Sequence, residues 1–375
     1  MSMATPQLID IEALLVEIPG DAPCGADIRE DPSPNSLYYQ IKDARAEARA
    51  AERRAQVAED GEQDAEAAAA WQQVMRLAPR ILAEQAKDLE IAAWYMEALV
   101  REHGFPGLRD GVRLAHGLVE RYWDDLFPRP DEEGLETRIA PLTGLNGEDA
   151  DGTLIAPLNQ IPITAGHTYG PFATWQYQQA YELDKITDPE KREARIEAGS
   201  ASMDKLRQSV LETPAAFFRT LADDVDECLS SLSDFATLIS EKCDGNGPPT
   251  SNIRNTLSQV REVVGFLAKD ALGSAAAEDA VNAEPAVSQG GAAAAKELTS
   301  VSGAITSREQ AQKILMKVAD FYRRTEPHSP VSYAVEQALR WAQMTLPELL
   351  AVLVPDEGAR AEYFRLAGIP QPSND

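Results

Sequence analysis

Three features of the sequence predict an all-α, multi-domain protein. Apolar residues recur at three- and four-residue spacing along most of the 375 positions. Pro, Gly and Asp clusters punctuate those runs at short intervals, as turns between packed helices do. A stretch poor in large side chains, residues 271–303, precedes a further periodic run that extends to the C-terminus.

Taken in order, Leu8, Ile11, Leu14, Leu15 and Ile18 mark a first amphipathic run, stopped by Pro19-Gly20. Residues 23–36 are rich in turn formers and read as an ordered loop. From Leu37 to about Glu59 helix propensity is high, but the apolar content is mostly alanine. That composition predicts a solvated helical arm, broken at Asp60-Gly61.

The strongest core signal lies in 71–127. Trp71, Val74, Ala78, Ile81 and Leu82 form one stripe, and Leu89, Ala92, Met96, Leu99 and Val100 a second. Leu108, Val112, Leu118, Val119 and Tyr122 form a third, with Gly104 and Pro106-Gly107 between the last two. In 128–175 the pattern weakens, and LIAPLNQIPIT (154–164) reads as extended because of its prolines. Helical runs resume at Trp175–Leu183 and Asp188–Leu211. The runs Pro214–Glu241 and Ile253–Leu267 predict a helical hairpin around the turn at 244–250.

Residues 271–303 have an Ala/Gly/Ser-rich linker composition; as a random coil they would span roughly 30 Å. In 304–375 capping boxes are predicted at Thr306/Glu309 and Thr345/Glu348, and an N-cap with proline at Ser329-Pro330.

The chain carries 61 acids against 35 bases, net −26. Such a polyanion lacks a broad field for phosphate backbones or anionic lipid, so no nucleic-acid partner is expected. No apolar run is long enough for a transmembrane helix, and no secretory leader is evident, which predicts a cytoplasmic protein without membrane insertion. Three scattered cysteines, Cys24, Cys228 and Cys243, make no disulfide framework. Charge is unevenly partitioned: 304–375 holds 8 Lys/Arg and 9 Asp/Glu, net −1, leaving −25 for the rest. A unit of that size has a small core and gains from oligomerisation, and near-neutrality removes the electrostatic obstacle. We therefore expect self-association there. Val331, Val335, Leu339, Leu349 and Leu353 are the candidate subunit interface.

Motifs that carry chemistry are sparse. The histidines, His103, His116, His167 and His328, make no HxH or HxxxH pair, and there is no CxxC, so no metal site is expected. EDADG (148–152) lacks the ligand spacing of a calcium loop. No phosphate-cradling glycine loop and no GxSxG elbow occur, and no cofactor is expected. Cys24 reads as part of a structural turn and Asp124-Asp125 as a solvated pair. Trp71, Trp94, Trp123 and Trp341 read as core anchors. No catalytic residue is assigned.

Several stretches resemble one family. IDIEALLVEIPGDAPCGADIREDP (9–32), AKDLEIAAWYMEALV (86–100), GFPGLRDGVRLAHGLVERYWDDLFP (104–128) and RIAPLTGLNG (138–147) are similar to the ImpA N-terminal domain of TssA-type proteins of bacterial type VI secretion systems. YRRTEPHSPVSYAVEQALRWAQMTLPELLAVLVPD (322–356), followed by RLAGI, resembles the closing domain of the short members. KDLEIAAWY departs from the family's usual Arg after KDL, and PCGADIRED has Ile and Glu where Leu and Tyr are common.

The resemblance, which covers about 1–147 and 304–375, together with the linker composition divides the chain into four parts. These are an ImpA-like domain (1–147), a middle helical region that is an extension or a second domain (148–270), the linker (271–303) and a ring-forming domain (304–375). It implies a non-enzymatic, homo-oligomeric assembly scaffold that contacts baseplate, inner-tube and contractile-sheath proteins, with the membrane complex a further candidate partner. The alternatives from other classes are an acidic adaptor without ring formation and an unrecognised hydrolase.

Overall fold

Every residue from Ile91 to Val100 in the helix Leu89–Tyr122 is out of solvent. A helix without a polar face needs neighbours around its whole circumference, and the computed structural model supplies them. It describes residues 4–55, 62–132, 134–197, 199–281, 312, 315, 316, 319, 323, 331–344, 349 and 352. Among these the elements in chain order are α1 (Ile11–Leu14), α2 (Leu37–Ala55), α3 (Glu62–Glu84), α4 (Leu89–Tyr122), α5 (Glu136–Asn146) and α6 (Ile155–Gln160). They continue with α7 (Thr174–Asp184), α8 (Pro189–Glu197), α9 (Met203–Glu212), α10 (Ala215–Lys242), α11 (Ser251–Val281) and α12 (Val331–Gln343). Strand pairing among the described residues is confined to isolated bridges, so the all-α expectation holds.

The chain divides into two compact units, Met1–Pro285 and Ala286–Asp375. In the first, α4 is the axis and touches α1, α3, α5, α6 and α10. Asp88 caps α4, its carboxylate accepting from the amides of Glu90 (2.9 Å) and Ile91 (3.1 Å). The helix breaks at Gly104, whose φ of 63° and ψ of −136° are those of a glycine. The Gly104 break read from the sequence is therefore a kink within one long element. One apolar cluster runs from Ile11 through to Leu267, so the middle region shares its core with the ImpA-like stretch.

Several local expectations change, among them the run Asp188–Leu211, which forms two helices, α8 and α9, the second capped by Ser202. Residues 37–55 are not a solvated arm: Ile41, Ala44, Ala48 and Ala51 are buried, and α2 packs on α3. Alanines at helical spacing remove little area individually but let two backbones approach closely. The first run is helical only over Ile11–Leu14, because the carbonyls that would continue it have side-chain donors. Lys87 Nζ donates to Leu14 O (2.8 Å) and the Tyr122 hydroxyl to Leu15 O (2.6 Å). Residues 155–160, read as extended, form α6; Pro157 sits in its first turn, where a missing amide breaks no helical bond. Finally, α11 continues to Val281 rather than stopping near Leu267. Its last turns, with AAAEDA, have high intrinsic helix propensity. The hairpin of α10 and α11 forms as expected. The capping boxes at 306/309 and 345/348, Ser329-Pro330 and the break at 60–61 lie outside the described residues.

The N-terminal segment, α4 and α10 are joined by a buried polar network. The Arg109 guanidinium donates to Asp110 (2.8 Å), Thr5 O (2.6 Å), Pro6 O (3.1 Å) and Glu227 (3.1 Å). Asp224 accepts from the amide and hydroxyl of Thr5 (2.7 and 2.8 Å), and Asp110 from the Leu8 amide (2.6 Å). Replacing Arg109 with Leu strands Asp110 inside the protein without its counter-charge. We expect Arg109→Leu to lower unfolding free energy by about 3–5 kcal/mol in urea titration; a loss below about 1 kcal/mol would show that the network is not needed.

Candidate interaction surface

The stripe expected to join subunits lies in the second unit. Val335 and Leu339 stand one turn apart on α12; Leu339 is buried within the single chain, and Val335 is half-buried. Val331 begins the helix one turn earlier, Leu349 is half-buried, and Leu353 lies outside the described residues. Leu315, Met316, Tyr333, Trp341 and Val352 are exposed in the single chain, Tyr333 at 65%. Trp341 is thus not the core anchor its apolar run suggested. It lies six residues after Val335, about 240° further round a helix of 100° per residue, and so off the 335/339 stripe. Helical phase was the signal that would have shown it.

Arg323 pairs with Glu336, and Arg340 donates to the Gln337 side chain (3.1 and 2.5 Å).

In the first unit the signature residues form a clamp. Gly25 (φ 73°) lets the loop lie against the end of α3, where any Cβ would stand 1.9 Å from Gln85 O. The amide of Ala26 donates to Gln85 O (3.2 Å), and that of Lys87 to Cys24 O (2.9 Å). Arg29 then crosses to α4, bonding Asp88 (2.7 Å) and Glu90 (2.6 Å), while its guanidinium lies 5.2 Å from the Tyr38 ring centre. Asp88 therefore both caps α4 and anchors the loop. At the other end of α4, Arg138 donates to Pro128 O (3.0 Å) and Trp123 O (2.5 Å).

Electrostatics make these groups structural. Burial pushes the Cys24 thiol up to about 11, and burial raises Cys228 and Cys243 as well. All three sulfurs are buried and free, and at neutral pH they are held as thiols, the less nucleophilic form. Asp124 and Asp125 are exposed, as a solvated pair should be. Among the described residues, no three His, Cys, Asp or Glu side chains gather as a metal site, and no helix is long and apolar enough to cross a membrane.

An all-α protein emerges whose distinctive polar residues clamp a central helix in place. Residues 15–147 match the sequence model of the family described as ImpA, N-terminal, type VI secretion system. Over 368 residues the chain is 26% identical to the type VI secretion system component TssA1 of Pseudomonas aeruginosa, covering 96% of this chain and 98% of that protein. A solved structure from Burkholderia cenocepacia, the N-terminal domain including the conserved ImpA_N region of a TssA component, shares the fold. It covers 72% of this chain and 98% of its own at 24% identity, with a TM-score of 0.58. Residues 15–147 thus resemble ImpA N-terminal regions, and the chain is similar to a TssA component over nearly its whole length.

Lys87 offers a test of the clamp. Burial lowers its amine from 10.5 to about 8, so the protonated form is held at a disadvantage in the fold. Between those values the unfolded chain binds a proton that the folded chain has released, and stability gains from this group as pH rises. Relative to Lys87→Met, the wild type should gain about 1–3 kcal/mol in urea unfolding between about pH 7 and about pH 10. No change in the difference would place Lys87 in water.

Proposed function

We propose that this protein is a non-enzymatic assembly scaffold of a type VI secretion system. Its residues 304–375 associate into a ring, and its first unit contacts tail components. The observation that carries the reading is end-to-end similarity to TssA1, at 96% coverage of this chain and 98% of the relative. By that resemblance the tail components are baseplate, inner-tube and sheath proteins in the cytoplasm, with the membrane complex a further candidate, and the chain is of the short kind. The subunit interface is proposed at Val331, Val335, Leu339, Leu349 and Leu353.

Two physical features favour the reading. The near-neutral charge of 304–375 lets copies approach where the acidic remainder repels. Exposed Tyr333 and Trp341, on the face of α12 away from the 335/339 stripe, offer a second area of the kind that anchors interfaces. A ring then multiplies weak single contacts, because each further grip acts at raised effective concentration.

Light scattering of the purified chain should give a large discrete multimer, with residues 1–285 alone reduced to monomer or dimer. Full-length protein that stays monomeric at micromolar concentration would overturn the reading. Val335→Asp should disrupt assembly while leaving helicity by circular dichroism unchanged, since an unpaired charge in the seam destabilises it by about 3–5 kcal/mol. Normal assembly of that variant would move the seam elsewhere.

A further inference from the structure

An arginine-lined cavity of about 380 Å³ opens between the C-terminal half of α2, α4 and the start of α6. Its walls include Arg49, Arg53 and Arg101, an unusual concentration of positive charge in a chain of net charge −26. Arg101 is already engaged. Its guanidinium forks onto Glu52 (2.5 and 3.0 Å) and lies 4.1 Å from the Trp71 ring centre. Glu52 also accepts from the Trp71 indole (2.7 Å), so it is committed to that pair.

Arg49 and Arg53 are in a different position. Among the described residues neither makes a hydrogen bond or ion pair. Burial lowers the affinity of Arg49 for its proton, and neighbouring Arg45, Arg101 and Arg53 act in the same direction; Glu97 opposes them. Glu97 is fully buried; one carboxylate oxygen accepts from Arg45, and the other has no hydrogen-bond partner. Asp151, the remaining acid of the lining, is exposed. Thr153 also lines the cavity, and its hydroxyl is buried without a hydrogen-bond partner. Two guanidinium groups without a hydrogen bond or ion pair therefore border one space, and Thr153 in its wall carries an orphaned hydroxyl.

We infer that this cavity receives the carboxylates of an acidic segment of a partner protein, held by Arg49 and Arg53. The arginine fork matches a carboxylate in two parallel bonds. The volume suits one or two acidic side chains and is too small for a nucleic-acid duplex. Entry of a carboxylate relieves the mutual repulsion of the arginines. The inference rests on the first unit alone and stands apart from ring formation.

The test is calorimetric titration of the full chain with capped hexaglutamate at low salt, alongside capped hexaglutamine and inorganic phosphate. Hexaglutamate should bind and weaken with added salt; hexaglutamine should not bind. The double variant Arg49→Gln/Arg53→Gln should weaken hexaglutamate binding about tenfold or more. Lys191→Gln, a change of an exposed base on α8, should leave it unchanged. Arg53 is exposed, so Arg53→Gln alone keeps the test open should the double variant fail to fold; it should weaken binding severalfold. Absence of hexaglutamate binding overturns the inference. So does binding indifferent to the arginine variants, or phosphate binding as tight as hexaglutamate, which would mark a general anion effect.

Discussion

A guanidinium removed from water must be met by acceptors along its whole edge, because an unpaired buried charge is among the most destabilising features a fold can hold. Arg109 satisfies that requirement with acceptors from three separate parts of the chain: Asp110 beside it on α4, the carbonyls of Thr5 and Pro6, and Glu227 on α10. None of these segments can shift without exposing or orphaning the charge. The constraint fixes how the N-terminal strand of chain crosses α4 and in what rotation α10 lies on it. Apolar packing alone is less directional, and Phe218, Val225 and Cys228 of α10 could be buried in more than one register. The register seen is the one that lets Arg109 complete its bonds.

The same logic accounts for the polar residues of the stretches that resemble ImpA N-terminal regions. Cys24, Gly25, Arg29, Lys87, Asp88 and Arg138 sit where loops meet the ends of α3 and α4. Helix ends leave backbone groups unpaired, and a loop crossing them must supply partners. Asp88 takes two amides at the start of α4 and then needs a cation, which Arg29 provides. Lys87 supplies donors to carbonyls of two elements. A sequence motif of this kind looks like a site because its residues are charged and glycine-flanked. Its burial shows it to be a joint.

Much of this was legible in the sequence where the physical signal is local. The stripes in 71–127, the break at Gly104 and the α10–α11 hairpin follow from periodicity and punctuation. What escaped notice depended on partners. Ala44, Ala48 and Ala51 give a weak apolar signal, and only the proximity of α3 reveals that smallness is what their positions need. Residues 11–18 have the pattern of a longer helix, and only Lys87 and Tyr122, distant in sequence, divert the carbonyls of Leu14 and Leu15. Pro157 argued against helix until its place in the first turn was known. The arginine cavity was invisible for a related reason: Arg49 and Arg53 lie in a run of bases and acids that reads as ordinary helix surface. α6, a hundred residues downstream, closes the space around them.

Charge supplies the last link between the units. Nearly all of the net −26 falls outside 304–375, so in the proposed assembly the first units of neighbouring copies would repel one another. Repulsion of that kind is screened over about 8 Å at physiological salt. Copies joined through a neutral segment would therefore hold their acidic units apart without preventing assembly. Each acidic unit would meet other proteins rather than its siblings, and a basic cavity on such a unit would stand out as a place where the local field reverses. The proposed scaffold would need such a separation of a cohesive part from a repulsive one, and nearly all of the net charge does fall outside 304–375.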